Sequence, residues 1–69
     1  MKSVDVVVNG KREKIAVPVT IAGFLALSGL RITQVVVEHN GVVQPRQRLN
    51  EIDLKEGDSL EVVVPVAGG

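Results

Sequence analysis

The chain has 69 residues, which is enough for one small domain and no more. Its eight basic and eight acidic residues give a formal net charge of zero, which argues against a nucleic-acid-binding protein. The lack of cysteine excludes disulfides and thiolate chemistry, and the single histidine, His39, excludes a His-rich metal centre, so we expect no bound metal. No apolar run approaches the roughly 20 residues that span a bilayer. Asp5 also interrupts any signal-peptide core, so we expect a soluble, cytoplasmic protein that binds no membrane.

The first third of the sequence predicts a β-hairpin. Valine is abundant, with 15 residues, and a side chain branched at Cβ favours strands. Apolar and polar residues alternate over 2–8 and form a second strand over 12–17. Asn9-Gly10 lies between the two segments and is a strong hairpin signal, because both residues accept a positive φ. Pro18 ends the second strand, since proline cannot donate to a ladder.

One short helix is predicted after this hairpin. Thr20 suits the N-cap, apolar residues follow at near-helical spacing, and Gly29 suits the left-handed residue that closes a helix. We therefore predict a helix over 20–28. Within it, Gly23 costs about 1 kcal/mol relative to alanine.

The second half of the chain repeats the hairpin signal and adds a last strand. Strands are predicted over 34–39 and 42–44, on either side of Asn40-Gly41. The segment 46–54 is interpreted as irregular, with room for a 3₁₀ turn. Alternating valines then predict a strand over 59–64.

The order of these elements predicts the fold class. Two hairpins separated by one helix and closed by a strand form an α+β layer, with the helix packed on one face of a mixed five-stranded sheet. The economical arrangement places the last strand beside the first and parallel to it, in the centre. This is the ubiquitin-like β-grasp fold. We expect the domain to cover 1–65 and a flexible C-terminal tail to cover 66–69.

No set of residues fits a catalytic centre. The serines lack a triad partner other than His39, which we interpret as exposed at the mouth of a hairpin. Glu51, Asp53 and Glu56 are interpreted as a solvated loop, because paired carboxylates do acid–base work only where burial separates their pKa values. We therefore predict no catalytic residue and a protein that is not an enzyme.

The C-terminus is the most unusual feature of the sequence. A terminal glycine pair such as Gly68-Gly69 arises by chance in under about 1% of chains. One interpretation is a frayed end. The other is an arm that enters a partner's active site: residues without Cβ can thread a narrow tunnel, and Pro65 directs the chain away from the sheet. Fully extended, 66–69 can reach roughly 13–14 Å.

A carboxylate at the tip of such an arm must be activated before it reacts. The simplest activated form is an acyl-adenylate made from ATP by another enzyme, since this chain has no phosphate-cradling loop. The activated carbon then accepts either a sulfur nucleophile, which gives a thiocarboxylate, or a lysine amine, which gives an isopeptide. The residues themselves favour neither outcome.

Several motifs resemble those of the ThiS/MoaD sulfur-carrier family. They are Val37-Glu38-His39-Asn40-Gly41, Pro45-Arg46, Glu56-Gly57-Asp58-Ser59-Leu60-Glu61-Val62-Val63 and the terminal Ala67-Gly68-Gly69. The first two motifs are similar to the thiamine-thiazole carrier, whereas the ending from Pro65 to Gly69 is similar to the molybdopterin carrier. The thiamine-thiazole carrier is favoured.

The resemblance implies a carrier whose Gly69 carboxylate is adenylated by an E1-like adenylyltransferase that uses ATP and Mg²⁺. The carboxylate then becomes a thiocarboxylate, with sulfur from a donor such as a cysteine desulfurase, and passes its sulfur to an acceptor such as thiazole synthase. On this interpretation Val66, Ala67 and Gly68 thread the partner's active site. The chain itself is expected to bind no cofactor.

Alternation also predicts a partner surface. It leaves Val7, Val36 and Val63 on the sheet face opposite the helix, where they cluster if the last strand lies between the first and third. An exposed apolar patch on a small domain usually marks a docking surface, so we predict that these valines bind the activating enzyme. The alternative is scattered surface valines of a valine-rich sheet.

Three other functions are compatible with the sequence. The first is a sulfur carrier for molybdopterin synthesis or tRNA thiolation. The second is a ubiquitin-like modifier that forms isopeptides with other proteins. The third is a β-grasp interaction module whose tail is inert.

Overall fold

The computed structural model describes residues 2–66, which form a mixed sheet with one helix on one face. The strands are β1 (Lys2–Val8), β2 (Lys11–Val17), β3 (Val36–His39), β4 (Val42–Gln44) and β5 (Ser59–Val63), and the helix is α1 (Ile21–Leu27). One 3₁₀ turn (Ile32–Gln34) precedes β3 and another (Arg46–Asn50) follows β4. Within the described residues, no helix is long and apolar enough to cross a membrane.

The last strand occupies the centre of the sheet. The strand order is β2-β1-β5-β3-β4, with β5 parallel to β1 and antiparallel to β3. The two hairpins, β1–β2 and β3–β4, are antiparallel and lie on either side of β5. This arrangement confirms the predicted ubiquitin-like β-grasp fold. Because β5 has a strand on each side, the chain beyond it leaves from the middle of the sheet.

The core lies between α1 and the covered face of the sheet. Alternate residues of the three central strands point towards the helix, and Val6, Val37 and Leu60 are fully buried there. Ile21 and Leu25 of α1 pack against them and are equally buried. No helix formed by residues 2–66 covers the opposite face of the sheet, which we call the outer face.

Local hydrogen bonds fix the ends of α1. The Thr20 hydroxyl accepts a hydrogen bond from the Gly23 amide at 3.0 Å, which confirms the predicted N-cap. Gly29 has a φ of +81° just after the helix, as predicted. Gly23 has a packing role that the sequence did not reveal: a Cβ at this position would lie 3.0 Å from Cγ2 of Val19. Alanine would therefore crowd the turn before the helix.

The third strand is shorter than predicted. It begins at Val36 and not at residue 34, because Ile32–Gln34 forms a 3₁₀ turn. The Gln34 amide donates to the Arg31 carbonyl at 2.9 Å, and the Gln34 side chain accepts from the Arg31 amide at 3.2 Å. These reciprocal bonds use the backbone groups that an extended strand would have offered to a neighbour. β5 likewise ends at Val63, one residue earlier than predicted.

Candidate functional site

The end of β5 is the candidate site. β5 ends at Val63, and Pro65 follows without an N–H that could extend the ladder. Val64 and Val66 are 52% and 90% exposed, so this segment, which we call the exit segment (64–66), is open to solvent. Ala67, Gly68 and Gly69, predicted to thread and react in a partner's active site, lie outside the described residues.

Two grooves flank the exit segment. The larger, of about 350 Å³, lies beside the 3₁₀ turn at Ile32–Gln34 and is bordered by Arg46, Val64 and Pro65. The smaller, of about 230 Å³, lies on the helix side, where Phe24 and Val64 are among its walls. Val64 therefore borders both grooves, and a partner can approach the exit segment from either side.

Arg46 builds one wall of the larger groove. Its Nε donates to the Ile32 carbonyl at 2.9 Å, and its Nη2 donates to the Thr33 carbonyl at 3.4 Å. A guanidinium presents several donors in a fixed plane, so one side chain can hold two successive carbonyls of a turn. Arg46 belongs to the Pro45-Arg46 motif, and the structure gives this motif a physical role, because its arginine holds the 3₁₀ turn next to the exit segment.

Asn9 clamps β5 close to its end. The backbone pairing of β1 with β5 ends at Val8 and Leu60. Just beyond it, the backbone N–H of Asn9 donates to the Leu60 carbonyl at 2.8 Å. The Asn9 side chain contacts the next residue of β5 on this side: its Oδ1 accepts from the Val62 amide at 2.7 Å, and its Nδ2 donates to the Val62 carbonyl at 3.2 Å. This role was not predicted from the sequence, because the Asn-Gly turn already accounts for an asparagine here.

The three outer-face valines divide into a pair and a separate residue. Val36 and Val63 are direct partners across β3 and β5, and they are 45% and 54% exposed. Val7 is half-buried and pairs with Ser59, four residues before Val63. At about 3.3 Å per residue, Val7 lies roughly 13 Å along the sheet from the pair. The structure therefore brings Val36 and Val63 together beside the exit segment and leaves Val7 apart.

A polar network holds the opposite end of β5. Both carboxylate oxygens of Asp58 accept hydrogen bonds: Oδ1 from Asn40 Nδ2 at 3.1 Å, and Oδ2 from the Lys55 amide at 2.9 Å. His39 Nε2 lies 3.2 Å from Oδ2. Burial alone would raise the pKa of Asp58, but the hydrogen bonds from Asn40 and Lys55 and the contact with His39 outweigh it and lower the pKa.

The expectation of an exposed His39 is wrong. Its side chain is 17% exposed, and that of Asp58 is 12% exposed. The physical reason is the pairing of β3 with β5, which brings the end of β3 beside the residues that lead into β5. The same Nε2 also lies 3.2 Å from Nδ2 of Asn40, so the side chains of His39, Asn40 and Asp58 are in mutual contact.

The acidic loop residues are exposed, as predicted. Glu51 pairs with Arg48 at 2.8 Å, and Glu56 accepts a hydrogen bond from the Asp5 amide at 3.0 Å. Asp53 forms an isolated bridge with Thr20 through the backbone. Among residues 2–66, no group of three or more His, Cys, Asp or Glu side chains is placed to hold a metal ion.

The strand order and the helix on one face define a ubiquitin-like β-grasp domain. The sequence model of the ThiS family matches residues 6–69, which is nearly the whole chain. The protein therefore belongs to the ThiS family. This confirms the resemblance to the ThiS/MoaD sulfur carriers and places the chain with ThiS.

Two similar proteins carry the comparison further. The crystal structure of the thiamine biosynthesis protein ThiS from Geobacter metallireducens superposes with a TM-score of 0.77 at 31% identity, covering 94% of this chain and 99% of that one. A thiazole synthase from Paramagnetospirillum magneticum is 29% identical over 63 residues. That match covers 91% of this chain but only 19% of the synthase, so the chain spans about a fifth of that relative.

Proposed function

We propose that this protein carries sulfur, as a thiocarboxylate on Gly69, for thiazole formation in thiamine biosynthesis. The observation that carries the proposal is the extent of the family match, which runs through the tail to residue 69. The relative named thiazole synthase supports a synthase of that kind as the sulfur acceptor, because a segment similar to this chain occurs within it. We place this chemistry in the cytoplasm.

The proposed reaction has two steps, and an E1-like adenylyltransferase performs them on this chain as a co-substrate. A carboxylate oxygen of Gly69 attacks the α-phosphorus of ATP, and Mg²⁺-bound pyrophosphate leaves. Hydrosulfide, freed from the persulfide of a cysteine-desulfurase-type donor by a thiol that forms a disulfide with it, then attacks the acyl carbon, and AMP leaves with the electron pair of the broken C–O bond. The product is the thiocarboxylate. The ATP and Mg²⁺ belong to the partner enzyme, and this chain provides the carboxylate and the arm.

The geometry of the exit segment suits such an arm. The chain leaves β5 between the two hairpins, so the packed domain supports the base of the exit segment. Val64 and Val66 in that segment are exposed to solvent. Val66, Ala67 and Gly68 are then the residues that thread the partner's active site, and the small or absent side chains of the last two allow a narrow passage.

We further propose that the Val36–Val63 pair docks the adenylyltransferase. The pair is apolar, exposed and next to the exit segment, so a partner that covers it also holds the base of the arm. Val7, about 13 Å away along the sheet, belongs at most to the margin of this contact.

The docking proposal is tested by replacing Val63 with aspartate. Val63→Asp should weaken the complex with the adenylyltransferase at least about tenfold, because it buries a charge in an apolar contact. Val42→Asp is the matched control: Val42 is 58% exposed but lies on β4, across from His39 and away from the outer face. An equal loss of affinity in both variants, or in neither, would contradict the docking surface.

The carrier function is tested by intact mass spectrometry. The purified chain is incubated with extract of its source cells, ATP, Mg²⁺ and cysteine, and we expect the mass change of one oxygen exchanged for sulfur. A variant with one serine added after Gly69 is the control, because its terminal carboxylate is displaced from the glycine pair. Adducts with other proteins would indicate a modifier, and an unchanged mass in both chains would indicate an inert tail.

A further inference from the structure

The two Asn-Gly turns share a feature that turn geometry does not require. Asn9 and Asn40 each have a φ of +51°, which glycine adopts at no steric cost. Each asparagine also places its side-chain amide on β5. Asn9 bonds both backbone groups of Val62, and Asn40 Oδ1 accepts from the Ser59 amide at 2.8 Å. One amide therefore acts at the end of β5 and the other at its start.

The side-chain amide of Asn9 makes the hydrogen bonds to β5 that a longer β1 would have made. On that side of β5 the paired strand ends at Val8, because the chain turns into the hairpin. Beyond Leu60, the N–H and C=O of Val62 need an acceptor and a donor, and the Asn9 side chain supplies one of each. On the other side, β3 pairs as far as Val36 with Val63. With the Asn9 side chain on one side and β3 on the other, β5 is therefore held on both sides to within two residues of the exit segment.

We propose that Asn9 is a positioning residue for the tail: by clamping Val62 it fixes the direction in which the exit segment leaves the sheet. The proposal rests on the proposed carrier function, because only a carrier has to deliver its tail to a distant reaction centre. From Val62 to Gly69 the extended chain reaches roughly 23 Å, so a rotation of about 10° at Val62 moves the carboxylate by about 4 Å. Reacting atoms need to approach to about 3–3.5 Å in a defined orientation.

Asn40 offers a matched control within the same chain. It occupies the same position of the same kind of turn, with the same φ, and its amide also bonds β5. Its contacts are with Ser59 and Asp58, four to five residues before Val63. Replacing either asparagine with glycine keeps the turn and removes only the side-chain amide. A general effect of losing such an amide therefore appears in both variants, and an effect on the tail appears in one.

The experiment compares Asn9→Gly, Asn40→Gly and the unchanged chain by NMR. We expect the Val62 amide to exchange with solvent at least about tenfold faster in Asn9→Gly, because its acceptor is gone. The order parameters of the Val64 and Val66 amides should fall below about 0.6 in this variant. In Asn40→Gly these three amides should behave as in the unchanged chain.

The kinetic arm measures adenylation by the partner enzyme. For Asn9→Gly we expect kcat to fall about tenfold or more while KM for the carrier stays within about twofold, because the docking pair is untouched and only delivery of the tail is impaired. Asn40→Gly should keep both constants within about twofold. If Asn9→Gly does not fold, Asn9→Asp retains the acceptor for the Val62 amide and removes the donor, and we expect a smaller change in the same direction.

The outcomes separate this proposal from the carrier function. Equal changes in the two glycine variants, or unchanged exchange at Val62 in Asn9→Gly, would show that Asn9 has no special role at the tail. A kcat unchanged in Asn9→Gly despite faster exchange at Val62 would likewise overturn the positioning role. Failure of the unchanged chain to be adenylated would count against the carrier function alone, and the NMR measurements would still decide whether Asn9 holds the exit segment.

Discussion

The two ends of β5 differ in how they are held. At its start, Asp58 accepts hydrogen bonds from Asn40 and the Lys55 amide, and its carboxylate lies 3.2 Å from Nε2 of His39. At its end, a single side chain, Asn9, bonds Val62, and the residues that follow are exposed. The start is anchored by several side chains, whereas the end is held by one side chain and by backbone pairing with β3 and then opens to solvent.

This difference shows how a very small domain can present a tail. The core lies between one helix and one sheet. The central strand, β5, must be held firmly in that sheet so that it can serve as a base for the exit segment. The polar network at the start of β5 provides this fixed base without using the outer face. The far end is then left with exposed valines and two grooves, which suit contact with a partner. Three substitutions and one pH series test this comparison, from the largest expected effect to the smallest.

Shortening the side chain of Leu60 should weaken both ends of β5. Leu60 is the second residue of β5 and is fully buried, so Leu60→Ala removes buried apolar surface and leaves a cavity in the core. We expect the free energy of unfolding in urea to fall by about 2–5 kcal/mol. Leu27→Ala is the control, because Leu27 is 82% exposed at the end of α1 and its change should stay within about 0.5 kcal/mol. Similar losses in the two variants would contradict the assigned core.

Removing the charge of Asp58 should weaken the anchored end alone. Asp58→Asn replaces an acceptor oxygen with an NH₂ group that faces either the Lys55 amide or the Asn40 amide, both of which are donors. We expect a loss of about 1–3 kcal/mol in the free energy of unfolding. Glu51→Gln, at an exposed ion pair with Arg48, should cost less than about 1 kcal/mol. A loss no greater than in this control would mean that the network does not anchor β5.

The unchanged chain and Asp58→Asn together give a pH dependence of known sign. The pKa of Asp58 is lower in the folded chain than its ordinary value of 3.8, so the ionised carboxylate stabilises the fold. This contribution is fully present above pH 3.8 and is lost as the pH falls through the lower folded-state pKa. The difference in unfolding free energy between the two proteins should therefore narrow below about pH 4. A gap that widens in acid would show the opposite shift.

Local sequence signals predicted most of the fold. Alternation and the two Asn-Gly turns placed β1 and β4 at their observed bounds, and the Thr20 cap placed the helix. These signals are short-range, because they depend on side-chain period and on backbone preferences within a few residues. The central position of β5 followed from the order of the elements, since few arrangements of two hairpins and one helix cover a last strand.

The errors fall where distant residues decide the structure. The turn at Ile32–Gln34 is held partly by Arg46, which lies 14 residues from Ile32 in the sequence, and no local sequence pattern predicts that contact. The pairing of β3 with β5 buries most of the His39 side chain. The sequence of the β3–β4 hairpin alone does not show this pairing. The period of the strands put Val7 on the right face, but the register between β1 and β5 separated it from Val63.

The candidate site was predicted only in part. The sequence pointed to the end of the last strand and to the outer-face valines, and the structure places Val36 and Val63 side by side there. It did not reveal the side-chain roles of Asn9 and Arg46. Each belonged to a motif that already had an explanation, a turn for the first and a family resemblance for the second. The contacts of both with other segments exist only in the folded chain.

The smallest effect is expected at the open end, where Val63→Thr should leave the fold almost unchanged. Threonine keeps the branched Cβ that suits a strand, and Val63 is 54% exposed, so little buried apolar surface changes. We expect the free energy of unfolding to change by less than about 0.5 kcal/mol. Val6→Thr makes the same exchange at a fully buried position of β1 and should cost about 1–3 kcal/mol, because it buries a hydroxyl. Equal costs would mean that Val63 is part of the core, whereas a clear difference supports an outer-face pair that is free to bind a partner.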